Sequence, residues 1–454
     1  MSARAIVLAA GKGTRMKSSR PKVLHELCGR SMLWWSLEAL RAAGLTDITV
    51  VTNPELQAVL ADGGGAGAQT VVQKEQTGTG DAVRVALDAM PAAEGTVLVT
   101  YADMPLLDEE LLRVVLDALA ARSDTALALV TARMPLPSSF GRIVRDRKGK
   151  RVARIVEARD CTPEELAIDE MNAGVYAYDE SALRDAVAQI DNRNAQGEYY
   201  LTDTIALLAG SGRRVVPLVV PDYRTVLGIN DRVELAAARA VLNARLCERL
   251  MRDGVTIVDP ATTYVEFGVQ IGTDTVVHPG TSIGRNSSIG TACVLGPRSR
   301  IEAATVGDGV RIVESVVLDS TVGAATSIGP YAHLRGGSRV GARVRIGNFV
   351  ELKNAELADD VKANHLAYIG DAVVGARTNV GAGTITANFD GERKHRTEIG
   401  ADVKIGTNTS LVAPVTIGDG AVTGAGTVVI RDVPAGERVV GNPARTLEKK
   451  TAPT

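Results

Sequence analysis

The chain has 454 residues, 45% of them apolar and 23% charged, with a net charge of −2. That length exceeds what one hydrophobic core serves and predicts two or three domains, while the balanced charge excludes a global basic field for nucleic acid, so any anion site must be local. Four scattered cysteines (Cys28, Cys161, Cys247 and Cys293) have no metal spacing, which predicts reduced thiols and excludes disulfides and a structural zinc.

The first element is the apolar run Ala5-Ile6-Val7-Leu8-Ala9-Ala10, read as a buried strand delivering the loop Gly11-Lys12-Gly13-Thr14-Arg15-Met16, with Pro21-Lys22 close behind. Glycines let backbone N–H groups approach an anion, and Lys12, Arg15 and Lys22 add charge, so the expected visitor is a phosphate. The loop lacks the GK[ST] ending of a Walker A, and Met16 replaces the third glycine of a dinucleotide fingerprint. The apolar run is too short for a signal-peptide core, and nowhere are there about 18 uninterrupted apolar residues. A soluble, cytoplasmic protein with no membrane insertion is expected.

Up to about residue 227 strands and helices alternate. Ile48–Val51 and Thr96–Val99 read as strands, and Gly80–Met90 and Glu109–Ala121 as helices, predicting a mostly parallel, Rossmann-like α/β domain over residues 1–228. Ligands of such sheets bind at the carboxyl ends of strands, where Gly11 and Tyr101-Ala102-Asp103 fall. The segment Gly63-Gly64-Gly65-Ala66-Gly67 reads as a flexible surface loop. Residues 229–254 read as a connector built on one long helix over 231–252, with Asp231 as N-cap, Leu235, Leu242, Leu246 and Leu250 on one face, and Gly254 as the stop.

From residue 255 to 454 an aliphatic residue recurs every sixth position: Val277, Ile283, Ile289, Leu295, Ile301; Ile328, Leu334, Val340, Ile346, Leu352; and Ile399, Ile405, Leu411, Ile417. Period six is the mark of a β-helix, whose short strands turn corners and stack aliphatic residues into an inner ladder. The period fails between Gly383 and Ile399, which predicts a loop leaving one face.

The motifs LAAGKGTRM, PKVLH, QKEQTGTGDA, YADMP, FGRIVR, VEARD, MNAGVY, QGEYYLTD and GINDR precede hexapeptide repeats containing LRGGS, VELKNA, NHLAYIGDA and NVGAGTITANFDG. Together they resemble the bacterial bifunctional N-acetylglucosamine-1-phosphate uridyltransferase / glucosamine-1-phosphate N-acetyltransferase family, over all but the last dozen or so residues. The resemblance implies a left-handed parallel β-helix, acetyl transfer from acetyl-CoA to glucosamine 1-phosphate, then uridylyl transfer from UTP to N-acetylglucosamine 1-phosphate with Mg²⁺. It also implies a homotrimer.

Joining two anions needs a cationic loop and a metal ion rather than a covalent nucleophile. Arg15 and Lys22 suit phosphate neutralisation, and Asp103 suits a hard cation. The resemblance adds Asn230 as second metal ligand, places Leu8, Ala9, Ala10 and Gly11 with the nucleotide, and gives Gln73, Gly78 and Thr79 to the uracil. It gives Tyr101, Ala102, Gly141, Glu157, Asn172 and Asn230 to the sugar phosphate. Read without it, Asp103 could simply end a strand, Glu157 is a solvated charge and Asn230 a cap.

Acetyl transfer needs a neutral amine and therefore a base near neutrality, for which histidine is the usual choice. His365 matches the family's base, and Arg335, Lys353 and Tyr368 match its sugar-phosphate contacts. Arg335 and Lys353 are separated by three whole hexads, one full turn of the β-helix, so they should share a face; Glu351 could orient the imidazole. Asn379, Ala382 and Asn388 carry over as further contacts of the acyl site, Asn379 on the sugar-phosphate side. Phe389, Thr407 and Ala425 carry over beside acetyl-CoA. Phe389 stands where the family commonly has tyrosine and Thr407 where it has serine. The tail Val440–Arg445 resembles a generic hexapeptide-acyltransferase ending, which makes Arg445 the candidate for the coenzyme A phosphates. His25 reads as a packing residue, and His278, His333 and His395 have no evident partners. The alternatives are a monofunctional sugar-1-phosphate nucleotidyltransferase with a structural or regulatory β-helix, and a binding module on an inactive transferase fold.

Overall fold

The computed structural model describes residues 3–61 and 67–447, so the residues 63–66 of the expected glycine-rich loop and the end of the tail lie outside it. Its contacts divide the chain into two compact units, Met1–Leu242 and Asn243–Thr454.

In the first unit the main sheet runs through Arg214–Val220, Thr125–Arg133, Glu170–Asp179, Thr96–Tyr101, Ala3–Leu8, Asp47–Thr52 and Gln69–Val72. Ala3–Leu8 is parallel to both neighbours, whereas Glu170–Asp179 is antiparallel to both of its own. The strands and helices expected from periodicity appear as Asp47–Thr52, Thr96–Tyr101, Thr79–Ala89 and Glu109–Ala120. Along the first strand Ala5 and Val7 enter one core layer with Leu37 and Leu112, and Ile6 and Leu8 enter the opposite layer with Val83 and Leu183. Burial on both faces is why its sequence is an unbroken apolar run rather than an alternation.

The long helix spans Arg232–Arg252. Asp231 Oδ1 accepts from Val233 and Glu234 N–H, each at 2.9 Å, and Gly254 at φ +97° lets Val255 N–H close onto Leu250 C=O. The two units divide within this helix, between Leu242 and Asn243, where the sequence suggested a separate connector.

The second unit is a parallel β-helix. Every aliphatic position of the hexapeptide register named above is buried. Ile283 lies against Ile301, Leu334 against Leu352 and Ile399 against Ile417, each pair separated by three whole hexads. Between Ile301 and Ile328 the sequence period lapses because coils shorten: Val306 stacks on Ile289, and Val322 on Val306, before three hexads are complete. At the expected insertion the coil lengthens instead, and Val374 finds its partner only at Ile399. The extra chain forms a small hairpin, with Phe389 bridged antiparallel to Lys394 and His395 N–H donating to Asn388 C=O at 2.8 Å. Among the described residues no helix is long and apolar enough to cross a membrane.

Candidate active sites

The glycine-rich loop leaves the first strand between its two parallel neighbours: Ala9 N–H donates to Val51 C=O and Ala102 N–H to Leu8 C=O. Gly13 has φ +59°, and a Cβ there would sit 2.5 Å from the Cβ of Lys22, so only glycine lets the loop pack onto this lysine. The Lys22 ammonium donates to the Asp103 carboxylate and, at 3.2 Å, to Asn230 Oδ1. Arg15 Nη2 donates to the same Asn230 oxygen at 2.9 Å. Asn230 is also held from behind, its N–H on Glu234 Oε2 at 2.6 Å and its amide on Gly228 C=O. Four residues singled out in the sequence thus converge on one spot.

The same oxygens test the fit of a metal. Asp103 and Asn230 both present oxygen to a single cationic neighbour, which is the donor set a Mg²⁺ ion uses when phosphates and water complete its shell. Among the described residues no cluster of three or more His, Cys, Asp or Glu side chains exists to hold a metal without substrate.

A cavity of about 470 Å³ opens beside this cluster, lined by Leu8, Ala9, Ala10, Gly11, Gln73, Gly78, Thr79, Tyr101 and Asp103 among others. Gln73 is buried and donates to Gly78 C=O at 3.1 Å and Asp81 at 2.8 Å. Gly78 adopts φ +127°, and a Cβ there would meet Tyr199 C=O at 2.4 Å. Thr79 Oγ1 accepts from Leu201 N–H at 3.0 Å. Lys12, Gln76 and Glu198 also line the cavity; Gln76 and Glu198 lie in motifs shared with the family, but no chemistry in the sequence singled them out.

A second cavity of about 210 Å³ shares Tyr101 and Asp103 with the first, and adds Gly141, Glu157, Asn172 and Asn230. Ala102 is fully buried behind its strand end. Asn172 donates to Tyr176 Oη at 2.6 Å where the register slips between Asn172 and Tyr176, and its Oδ1 accepts from Gly174 N–H. Glu157 is half-buried rather than a fully solvated charge. Burial pushes its carboxyl above the usual range, partly offset by the hydrogen bond from Thr202 at 3.0 Å, and Asp203, Asp160 and Glu198 add to the rise.

In the β-helix, Arg335 and Lys353 occupy equivalent positions on adjacent coils, as the spacing required, and Glu351 faces Tyr368 on the next. One expectation is corrected: Glu351 accepts from Arg335 at 2.9 Å, and His365 Nδ1 instead lies 3.1 Å from Asn348 Oδ1. The register explains it, because Asn348 is the residue directly opposite His365. His395, which had no expected partner, contacts Asp390 Oδ2 at 2.7 Å.

Sequence reasoning also missed Asp371 and Lys394. Asp371 gathers Lys353 at 3.5 Å, Asn354 at 2.8 Å and Asn388, and Asn388 reaches Tyr368 Oη at 3.5 Å. Lys394, from the hairpin, is held below the ordinary lysine range by its contact with Lys353 and that like charge, with Arg335 adding. Three cations therefore meet with two carboxylates, Glu351 and Asp371, among them, and the hairpin flagged by the broken period supplies the third cation. Asn379 pairs with Lys362 one coil up. Asn408 N–H donates to Ala382 C=O and Gly426 N–H to Thr407 C=O, so Ala382, Thr407 and Ala425 climb successive coils of one edge. Arg445 is exposed and opposite Val440, whose side chain packs on Gly424. Phe389 is also exposed.

Residues 5–191 match the MobA-like NTP transferase domain, residues 265–348 the GMPPB C-terminal domain, and residues 396–431 the bacterial transferase hexapeptide family. The chain is 44% identical to the bifunctional protein GlmU of Streptomyces avermitilis, with 96% of this chain and 91% of that one covered. It is 43% identical to that of Corynebacterium glutamicum (ATCC 13032), covering 98% and 93%, and 45% identical to that of Mycolicibacterium gilvum, covering 98% and 90%. An α/β transferase unit in which Arg15, Lys22, Asp103 and Asn230 converge, a hexapeptide β-helix, and likeness along almost the entire length agree: the chain belongs to the bifunctional GlmU family.

Proposed function

We propose that the two polar clusters carry the two halves of the family's chemistry. The enzyme is bifunctional, an acetyltransferase acting on glucosamine 1-phosphate and a uridyltransferase making UDP-N-acetylglucosamine. In the first step His365 removes a proton from the substrate's ammonium group, the amine nitrogen bonds to the thioester carbonyl carbon, and as the C–S bond breaks the nitrogen gives up a second proton to the departing sulfur, so that coenzyme A leaves as the thiol. Arg335, Lys353 and Lys394 hold the phosphate, Tyr368 and Asn379 the sugar, and Ala382, Asn388, Phe389, Thr407, Ala425 and Arg445 flank acetyl-CoA.

In the second step a phosphate oxygen of the acetylated sugar attacks the α-phosphorus of UTP, and the bond to the bridging oxygen of pyrophosphate breaks. The attacking oxygen is already anionic, so no base is required. Arg15 and Lys22 neutralise the phosphates; Gln73, Gly78 and Thr79 receive the uracil; and Gly141, Glu157 and Asn172 position the sugar. Asp103 and Asn230 would hold Mg²⁺, which neutralises developing charge when bound. The observation carrying this reading is the convergence of Arg15, Lys22, Asp103 and Asn230 from three distant segments.

A homotrimer is supported by an exposed apolar column on the β-helix. Tyr331 and Phe349 stack at 5.5 Å, both more than half exposed, with Leu366 one coil on. All three sit at positive φ, a costly conformation for bulky residues. Phe349 and Leu366 are the immediate neighbours of Asn348 and His365, so a second copy covering the column would also wall the acetyl site. Work in the cytoplasm follows from these soluble substrates. The test omits glucosamine 1-phosphate, acetyl-CoA, UTP and Mg²⁺ one at a time while free thiol and pyrophosphate are followed separately. Thiol release should need only the first two, and pyrophosphate release with glucosamine 1-phosphate should need all four. Pyrophosphate release without acetyl-CoA would sink the assigned order.

A further inference from the structure

Arg142 is a buried charge that nothing above uses. Its side chain is 1% exposed, and among the described residues no carboxylate lies within ion-pair distance. Its Nη1 donates to Phe140 C=O and its Nη2 to Ser138 C=O at 2.8 Å, while its Nε has no partner. Arginine stays charged at any physiological pH, and burying it unpaired is costly. Methionine or leucine would fill the same volume without that cost.

The carbonyls that Arg142 holds belong to the loop bearing Ser139, Phe140 and Gly141, all three of which line the 210 Å³ cavity. In a trans peptide C=O and N–H point in opposite directions, and neither the 138–139 nor the 140–141 bond is cis. Anchoring Ser138 C=O and Phe140 C=O on the guanidinium therefore turns the N–H groups of Ser139 and Gly141 away from it. Neither N–H finds an acceptor among the described residues, although Gly141 C=O is satisfied by Asn172 N–H at 2.8 Å. On the other side of Gly141 stand the Glu157 oxygens, each 3.4 Å from where a Cβ would be, and Ile155 leaves no room for one at 2.9 Å.

We infer that Arg142 is a positioning residue of the uridyltransferase site: it forks two loop carbonyls so that the Ser139 and Gly141 amides present a paired donor to oxygen atoms of the sugar phosphate, opposite the acceptor Glu157. This rests on the reading of that cavity as the sugar-phosphate site. The guanidinium fits because one planar fork reaches two carbonyls at once.

Steady-state uridylyl transfer by the full chain, with UTP and N-acetylglucosamine 1-phosphate varied in turn, tests it on Arg142→Met and Arg142→Lys, with acetyl transfer and thermal unfolding as checks on the fold. Arg142→Met should raise KM for the sugar phosphate about tenfold, the scale of a lost charge-assisted hydrogen bond, and leave KM for UTP and acetyl transfer unchanged. Arg142→Lys should recover part of the loss, because an ammonium can hold one carbonyl but not fork both. Where Arg142→Met does not fold, the same split between the two KM values in Arg142→Lys decides. An unchanged KM for the sugar phosphate, or a parallel rise in both, overturns the inference. A wild-type chain that makes no UDP-sugar overturns the cavity assignment, and the inference with it.

Discussion

Lys22 and Asp103, far apart in the chain, form an ion pair in which both side chains are largely buried, and Asn230 closes the same contact from a third segment. In the proposed uridyltransferase site Lys22 would neutralise phosphate and Asp103 would ligate the metal. Asp103→Ala should therefore lower uridylyl transfer at least about a hundredfold, the scale of removing a preorganised electrostatic group. Acetyl transfer by the same variant should stay intact. A parallel loss of thiol release in a folded variant would contradict two independent sites.

His365→Ala is the converse. Thiol release from acetyl-CoA should fall about a hundredfold or more, while pyrophosphate release with N-acetylglucosamine 1-phosphate supplied stays at the wild-type rate. Asn348→Ala, which removes the side chain that meets the imidazole nitrogen, should cost about tenfold in acetyl transfer. A larger loss in Glu351→Ala than in Asn348→Ala would restore the orienting role that the sequence suggested for Glu351.

Gly78→Ala tests the uracil edge. An alanine Cβ would collide with the Tyr199 backbone, in a conformation that L-residues avoid. KM for UTP should rise at least about tenfold, with KM for the sugar phosphate little changed. Equal changes in both would place Gly78 in folding rather than recognition.

Asp203 gives a pH signature. Burial, with Asp191 and Asp160 adding, raises its carboxyl to about 6. A carboxyl whose folded value lies above its unfolded value binds more protons when folded. The stability of the native state then falls as pH rises from about 4 through about 6, and the loss is fully present above that. Asp203→Asn should raise Tm at about pH 7.5 by a few degrees (about 2–4 °C), and the gain should vanish near pH 4. A gain that is the same at both pH values would show that charge is not its cause.

The exposed stack predicts assembly. Tyr331→Ser with Phe349→Ser should shift the particle measured by light scattering toward the monomer and reduce acetyl transfer, since His365 adjoins the same column. Uridylyl transfer should be spared. An unchanged mass would remove this column from the interface.

The periodicities and the glycine-rich loop were legible because they are local: period six appears where coils of full length stack an aliphatic ladder, and an apolar run breaking into glycine marks the end of a strand buried on both faces. The shared face of Arg335 and Lys353 was legible for the same reason, their separation being a whole turn of the repeat. The antiparallel strand Glu170–Asp179, the shortened coils after Ile301 and the division inside the long helix were not, because pairing direction, coil length and contact density leave no fixed composition behind. Tertiary structure alone decided which partner each polar group takes: Asn348 rather than Glu351 for His365, Asp371 among the cations, and two backbone carbonyls for Arg142. A side chain's identity sets what it can bond to, but only the register of distant segments brings one acceptor rather than another within hydrogen-bond reach.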